Sequence, residues 1–170
     1  VKVLVTGGSR SGKTGHALRR AEALSPVRSY LATCEARDAE MSDRIRRHQV
    51  ERDASWRTLE EPLDIAPLLE REGVVLVDCL TLWLSNLLER HGDGDLTAER
   101  ERLVQAVATA SNPLVLVTNE VGLGLVPMHP LGRRFRDESG WLGQALAQVC
   151  DEVVLVACGL PLMLKGQRTV

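Results

Sequence analysis

VKVLVTGGSRSGKT, residues Val1–Thr14, runs a Val-rich strand pattern straight into G-x-x-x-x-G-K-[ST] with no residue between the two. From Lys13 onward the apolar positions recur with helical spacing, so the glycine-rich loop lies between a strand and a helix. That context makes Gly7, Gly8, Ser9, Arg10, Ser11, Gly12, Lys13 and Thr14 a phosphate cradle. Glycine lets successive backbone N–H groups turn inward without a Cβ in the way. Lys13 brings a positive charge to the β- and γ-phosphates, the Thr14 hydroxyl is a Mg²⁺ ligand, and the helix presents its positive end to the anion.

Outward from this loop, short Val- and Leu-rich runs alternate with helical stretches. Strands are expected at Val1–Thr6, Val27–Thr33, Val74–Asp78, Leu114–Thr118 and Val153–Ala157. Helices are expected near Lys13–Leu24, Ala39–Arg52, Leu63–Arg71, Leu82–His91, Ala98–Ala110 and Gly132–Val149. Several strands are apolar on consecutive positions, as strands covered on both faces are. The expectation is an α/β fold, a single P-loop NTPase-type domain over residues 1–170 with a mainly parallel central sheet flanked by helices. The stretch Val121–Pro130 (VGLGLVPMHP) reads as a long loop, and long loops in compact folds are more often functional than idle.

A phosphate cradle needs an acidic residue beside it to hold Mg²⁺, and Asp78, closing VVLVD, is placed for that role. The alternative, compatible with that role, is that it caps a helix starting near Leu80. In the helical stretch Asp38–Asp53, Met41, Ile45 and His48 share one face, with Arg44, Arg46, Arg47, Arg52 and Arg57 close by. Arginine forks suit triphosphate oxygens. His48 on that apolar face is either a structural histidine or a nucleophile able to attack an α-phosphorus and expel pyrophosphate.

Composition narrows the function classes. The 170 residues carry a net charge of −2, with 44% hydrophobic and 26% charged residues, so no basic excess points to nucleic acid. Aromatics are 3%, too few for base-stacking platforms. The four cysteines, Cys34, Cys79, Cys150 and Cys158, lack metal-ligand spacing and read as reduced, mostly buried thiols. No apolar stretch approaches the ~20 residues of a membrane span and no charged-then-apolar leader opens the chain, so a cytoplasmic location is expected. A GTP-dependent switch would carry Asn-Lys-x-Asp, and Thr118-Asn119-Glu120-Val121 lacks both the Lys and the Asp.

Further runs are more specific than the phosphate loop: YLATC, AEMSDRIRRHQ followed by WRTLEEP, VLVDCLTLWLSNLL, LVLVTNEVGLGLVP, RRFRDESGWLGQALA and DEVVLVACGLPLMLKG. Across nearly its full length the chain resembles the bifunctional adenosylcobinamide kinase/adenosylcobinamide-phosphate guanylyltransferase family. The resemblance implies phosphorylation of the aminopropanol hydroxyl of adenosylcobinamide, then transfer of GMP from GTP through a guanylylated histidine that falls on His48. It implies GTP, ATP and Mg²⁺ as the nucleotides and metal, and a homotrimer. It extends nucleotide contacts from Gly7–Thr14 to Ala32, Thr33 and Cys34, to Gln49, Val50, Glu51 and Arg52, and to Glu60 and Asp78. Asp78 stands where some members carry Glu. A plain P-loop small-molecule kinase without guanylyl transfer is the alternative. The loop Val121–Pro130 and the region Arg133–Asp137 are the expected contacts to the corrinoid.

Overall fold

The computed structural model describes residues 1–34 and 55–166. Seven strands form one sheet in the order β3-β2-β4-β5-β1-β6-β7. They are β1 (Lys2–Thr6), β2 (Arg28–Ala32), β3 (Trp56–Glu60), β4 (Val74–Asp78), β5 (Leu114–Val117), β6 (Glu152–Ala157) and β7 (Leu160–Lys165). Every neighbouring pair is parallel except β6 and β7. The described helices are α1 (Lys13–Leu24), α2 (Leu80–His91), α3 (Thr97–Thr109) and α4 (Pro130–Val149).

The consecutive apolar runs are explained by two cores, one on each face. Val74–Val77 and Leu114–Val117 are buried at every position. Alternate residues then divide between the faces, as the period of a strand requires. Val75, Val77, Leu114 and Leu116 join Trp83, Leu84 and Leu87 of α2, Leu103 and Val107 of α3, and Leu142 and Leu146 of α4. Val74, Leu76, Val115 and Val117 join Ala17, Leu18 and Ala21 of α1. Each fully buried Leu or Val contributes about 1.5–3 kcal/mol relative to exposure. The Leu-rich α2 is apolar nearly all round because it is enclosed within the fold: seven of its residues are buried, and Trp83 Nε1 donates to the Leu63 carbonyl at 2.7 Å.

Three elements differ from expectation. The stretch Leu63–Arg71 forms only a short 3₁₀ turn at Ala66–Leu68. Pro67 lacks an N–H and cannot sit inside a helix begun at Leu63. The Leu63 and Asp64 N–H groups go instead to Glu61 Oε1, both at 2.9 Å. Strand β3 was not expected, because WRTLE is an edge strand with one buried residue, Trp56. Strand β7 was not expected either; it carries Pro161, which edge strands tolerate.

Candidate functional site: the C-terminal edge of the sheet

The loop Gly7–Gly12 leaves β1 and turns directly into α1. A Cβ on Gly7 would lie 2.4 Å from the Val156 carbonyl oxygen of the adjacent strand. Gly12 holds φ +92, where L side chains rarely go, and caps α1 without a side chain. The first-turn N–H groups of α1 thus receive no side-chain cap, which suits an anion. Arg10 also adopts a left-handed conformation, with φ 56. Lys13 folds back over the loop, its Nζ donating to the Gly8 carbonyl at 3.1 Å.

Two more elements complete the cradle. The Gly159 N–H, in the β6–β7 turn, donates to the Ser11 carbonyl at 2.9 Å. The Glu120 N–H, beyond β5, donates to the Gly7 carbonyl at 3.0 Å. Turns from strands on either side of β1 therefore brace the loop.

Asp78 reaches this loop from β4. Its Oδ2 accepts from Thr14 Oγ1 at 3.3 Å and from Tyr30 Oη at 2.8 Å. The capping alternative is not realised: Cys79 holds the N-cap position of α2, with no side-chain cap bond. Thr14 Oγ1 and Asp78 Oδ2 are hard oxygen donors close enough to serve one Mg²⁺. That ion characteristically takes one or two carboxylates plus substrate phosphates rather than a protein cage. Among the described residues, no group of three or more His, Cys, Asp or Glu converges.

A buried polar network fixes the strand ends. Thr33 Oγ1 donates to the Cys79 carbonyl at 2.7 Å and accepts from the Cys79 N–H at 3.0 Å. Asn86 Nδ2 donates to the carbonyls of Thr33 and Pro62 at 2.9 and 3.1 Å. Asn119 Nδ2 donates to Thr81 Oγ1 at 2.8 Å, and Thr81 Oγ1 lies 3.1 Å from Cys79 Sγ. Sequence reasoning assigned no role to Tyr30, Thr81, Asn86 or Asn119. Their signal was present in the YLAT, D-C-L-T-x-x-x-x-N and T-N-E runs, whose polar members sit within otherwise apolar stretches.

The structure thus joins Gly7–Thr14 to Asp78, with Thr33 bonded to the next residue. Ala32 pairs in register with Asp78 on one side and Glu60 on the other, placing exposed Glu60 on the same edge of the sheet. Cys34 follows, half-buried. His48, Gln49, Val50, Glu51 and Arg52 lie outside the described residues, as does the expected helix Ala39–Arg52.

The thiols divide more sharply than expected. Cys79 and Cys150 are buried, and burial pushes both thiols up, Cys150 to about 12. Cys158, in the β6–β7 turn, is exposed. A shallow hollow of about 640 Å³ lined by Arg100, Glu138 and Trp141 shares no residue with the cradle.

Beyond β5, the long loop is present as expected. Leu123, Leu125, Val126 and Met128 are 85%, 96%, 66% and 92% exposed. Its ends are nevertheless pinned. Glu120 Oε1 accepts from the N–H groups of Gly122 and Leu123, and Arg133 donates to the carbonyls of Pro127 and Met128.

Residues 3–164 match a family model described as cobinamide kinase / cobinamide phosphate guanyltransferase. The chain is 47% identical over 168 residues to the bifunctional adenosylcobalamin biosynthesis protein CobP of Pseudomonas aeruginosa, covering 96% of this chain and 97% of that one. It is 39% identical over 183 residues to the bifunctional adenosylcobalamin biosynthesis protein CobU of Escherichia coli, covering 96% and 99%. Among solved structures, a prototypical ATPase from the type III secretion system of pathogenic bacteria aligns with a TM-score of 0.54 at 10% identity, over 91% of this chain and 50% of that one. That likeness concerns the fold alone, which is of the P-loop NTPase type.

Proposed function

The chain belongs to the cobinamide kinase / cobinamide phosphate guanyltransferase family, and from that premise we propose that it carries out both reactions on adenosylcobinamide. In the first, the aminopropanol hydroxyl oxygen attacks the γ-phosphorus of ATP or GTP. The bond to the β–γ bridging oxygen breaks, the nucleoside diphosphate leaves, and the hydroxyl proton passes to solvent. In the second, an imidazole nitrogen of His48 attacks the α-phosphorus of GTP and pyrophosphate leaves. A phosphate oxygen of adenosylcobinamide phosphate then attacks that phosphorus, the P–N bond breaks, and adenosylcobinamide-GDP forms.

The convergence of Lys13, Thr14 and Asp78 on one glycine loop carries this reading. Gly7–Thr14 wrap the phosphates with backbone N–H groups, and Lys13 offsets charge on the β- and γ-oxygens. Thr14 and Asp78 would hold Mg²⁺, which would supply charge neutralisation to the phosphates when bound. Ala32, Thr33, Cys34 and Glu60 line the same edge toward the nucleotide, and Gln49, Val50, Glu51 and Arg52 follow the nucleophile. The apolar loop Val121–Pro130 takes the corrinoid, with Arg133–Asp137 behind it. The leucines of β7, Leu160, Leu162 and Leu164, are 56–71% exposed along one edge and suit self-association as a homotrimer. No helix among the described residues is long and apolar enough to cross a membrane, which accords with a cytoplasmic enzyme.

The test is incubation with Mg²⁺ and GTP labelled at the α-phosphorus, followed by denaturation and mass analysis. The expected product is a GMP adduct, acid-labile, alkali-stable and absent in His48→Ala. Nucleotide binding without any adduct would reduce the function to a simple P-loop small-molecule kinase.

A further inference from the structure

Tyr30 is the chain's only tyrosine and lies in the middle of β2, 4% exposed. Its ring stands edge-on to Trp56, with centroids 6.3 Å apart and planes at 81°. Packing on this scale fixes the ring and leaves the phenol one useful freedom, the direction of its O–H. A buried phenol requires a hydrogen-bond partner. Tyr30 takes Asp78 Oδ2 at 2.8 Å, the same oxygen that Thr14 approaches at 3.3 Å.

The two bonds differ in origin. The Thr14 hydroxyl belongs to the phosphate loop and can keep donating to Asp78 while an oxygen lone pair faces a cation. The Tyr30 bond comes from a ring seated in the core. The backbone on either side of the carboxylate is held as well: Thr33 N–H donates to the Asp78 carbonyl at 3.3 Å, and Thr33 Oγ1 bonds Cys79 at both N–H and carbonyl. The Asp78 carboxylate is thus held by Thr14 from the phosphate loop and, at the shorter distance, by Tyr30 from the core.

We propose that Tyr30 is a positioning residue for the metal site, holding the Asp78 carboxylate in the orientation that Mg²⁺ requires. The inference rests on the reading of Thr14 and Asp78 as the metal-holding pair. Mg²⁺ demands near-ideal octahedral geometry, and partners that orient a metal-ligating carboxylate commonly set affinity by ~10–100-fold.

Tyr30→Phe keeps the ring and removes the bond. Mn²⁺ binding in the presence of a non-hydrolysable nucleoside triphosphate, followed by loss of the free-ion paramagnetic resonance signal, is expected to weaken ~10-fold. Turnover should need correspondingly more Mg²⁺ while the rate at saturating Mg²⁺ changes little. A purely structural role would lower that saturating rate or the melting temperature without moving the metal requirement. Because one tyrosine is present, 3-fluorotyrosine incorporation gives a single ¹⁹F resonance in the otherwise native protein. That resonance should shift on adding Mg²⁺ with the triphosphate analogue, and the shift should vanish in Asp78→Asn. Unchanged Mn²⁺ affinity in Tyr30→Phe, with affinity lost in Asp78→Asn, would overturn the role of Tyr30 and leave the metal pair standing. Unchanged affinity in Asp78→Asn would overturn the metal pair and this inference with it.

Discussion

Residues Gly7–Thr14 and residues Val121–His129 follow neighbouring strands at one edge of the sheet, and Glu120, just before the second stretch, donates its N–H to the Gly7 carbonyl at 3.0 Å. In the first stretch the backbone is the working surface. Gly7 is dictated by close approach and Gly12 by its left-handed φ, and Lys13 is folded back onto the Gly8 carbonyl. In the second the backbone is only a support, pinned by Glu120 and Arg133, while the leucines and methionine stand in solvent. A phosphate is small and its charge distribution fixed, so it can be met by a rigid ring of donors. A broad apolar ligand is met by area, and area can be supplied by any apolar side chains held at the right place. The division of labour between the two stretches is the idea to test.

The largest expected effect is Lys13→Ala. On the role proposed for Lys13, its loss should lower phosphoryl-transfer turnover by ~10²–10³-fold, while corrinoid affinity measured by absorbance titration stays as in the wild type. A parallel loss of corrinoid binding would dissolve the distinction between the two regions. Next comes the converse, Leu123→Ser with Leu125→Ser. Neither side chain contributes to the core, so the melting temperature should hold. Corrinoid affinity should fall by about 10-fold or more, in line with the burial of two leucines against a ligand. Weakened nucleotide binding instead would show the loop to belong to the cradle.

The smallest effect concerns the helix behind the cradle. His16 is held below its usual 6.5 chiefly by burial, then by Arg19 and Arg20, with Glu152 opposing. As pH falls through 6.5 the unfolded chain takes up this proton before the folded one does, so stability declines from there toward the lower folded value. Thermal melts between pH 7.5 and 5.5 should show that decline in the wild type and a shallower one in His16→Gln.

What could be read in the sequence follows from the range of the forces involved. The strand, loop and α1 at the start are dictated locally, by glycine conformation and helical spacing, and they fold as expected. The buried strands β4 and β5 announce themselves because both faces are covered. Edge strands β3 and β7 lack that double burial, and Pro67 outweighed the apolar spacing of Leu63–Arg71. At the site, Lys13, Thr14 and Asp78 were legible from chemistry. Tyr30, Asn86 and Asn119 stand out locally as polar residues in otherwise apolar runs, but their partners follow from strand register, which pairs residues far apart in the chain.

The Gly159 bond to the Ser11 carbonyl has a consequence for the order in which the protein is made. The phosphate loop is made well before the β6–β7 turn that supplies one of its braces. The strands flanking β1 are β5 and β6, also late arrivals, and such distant pairings form only after their entropic cost is met. A nascent chain therefore carries the nucleotide motif without a finished cradle until β5, β6 and the turn after β6 have been made, and competence to bind arrives only then.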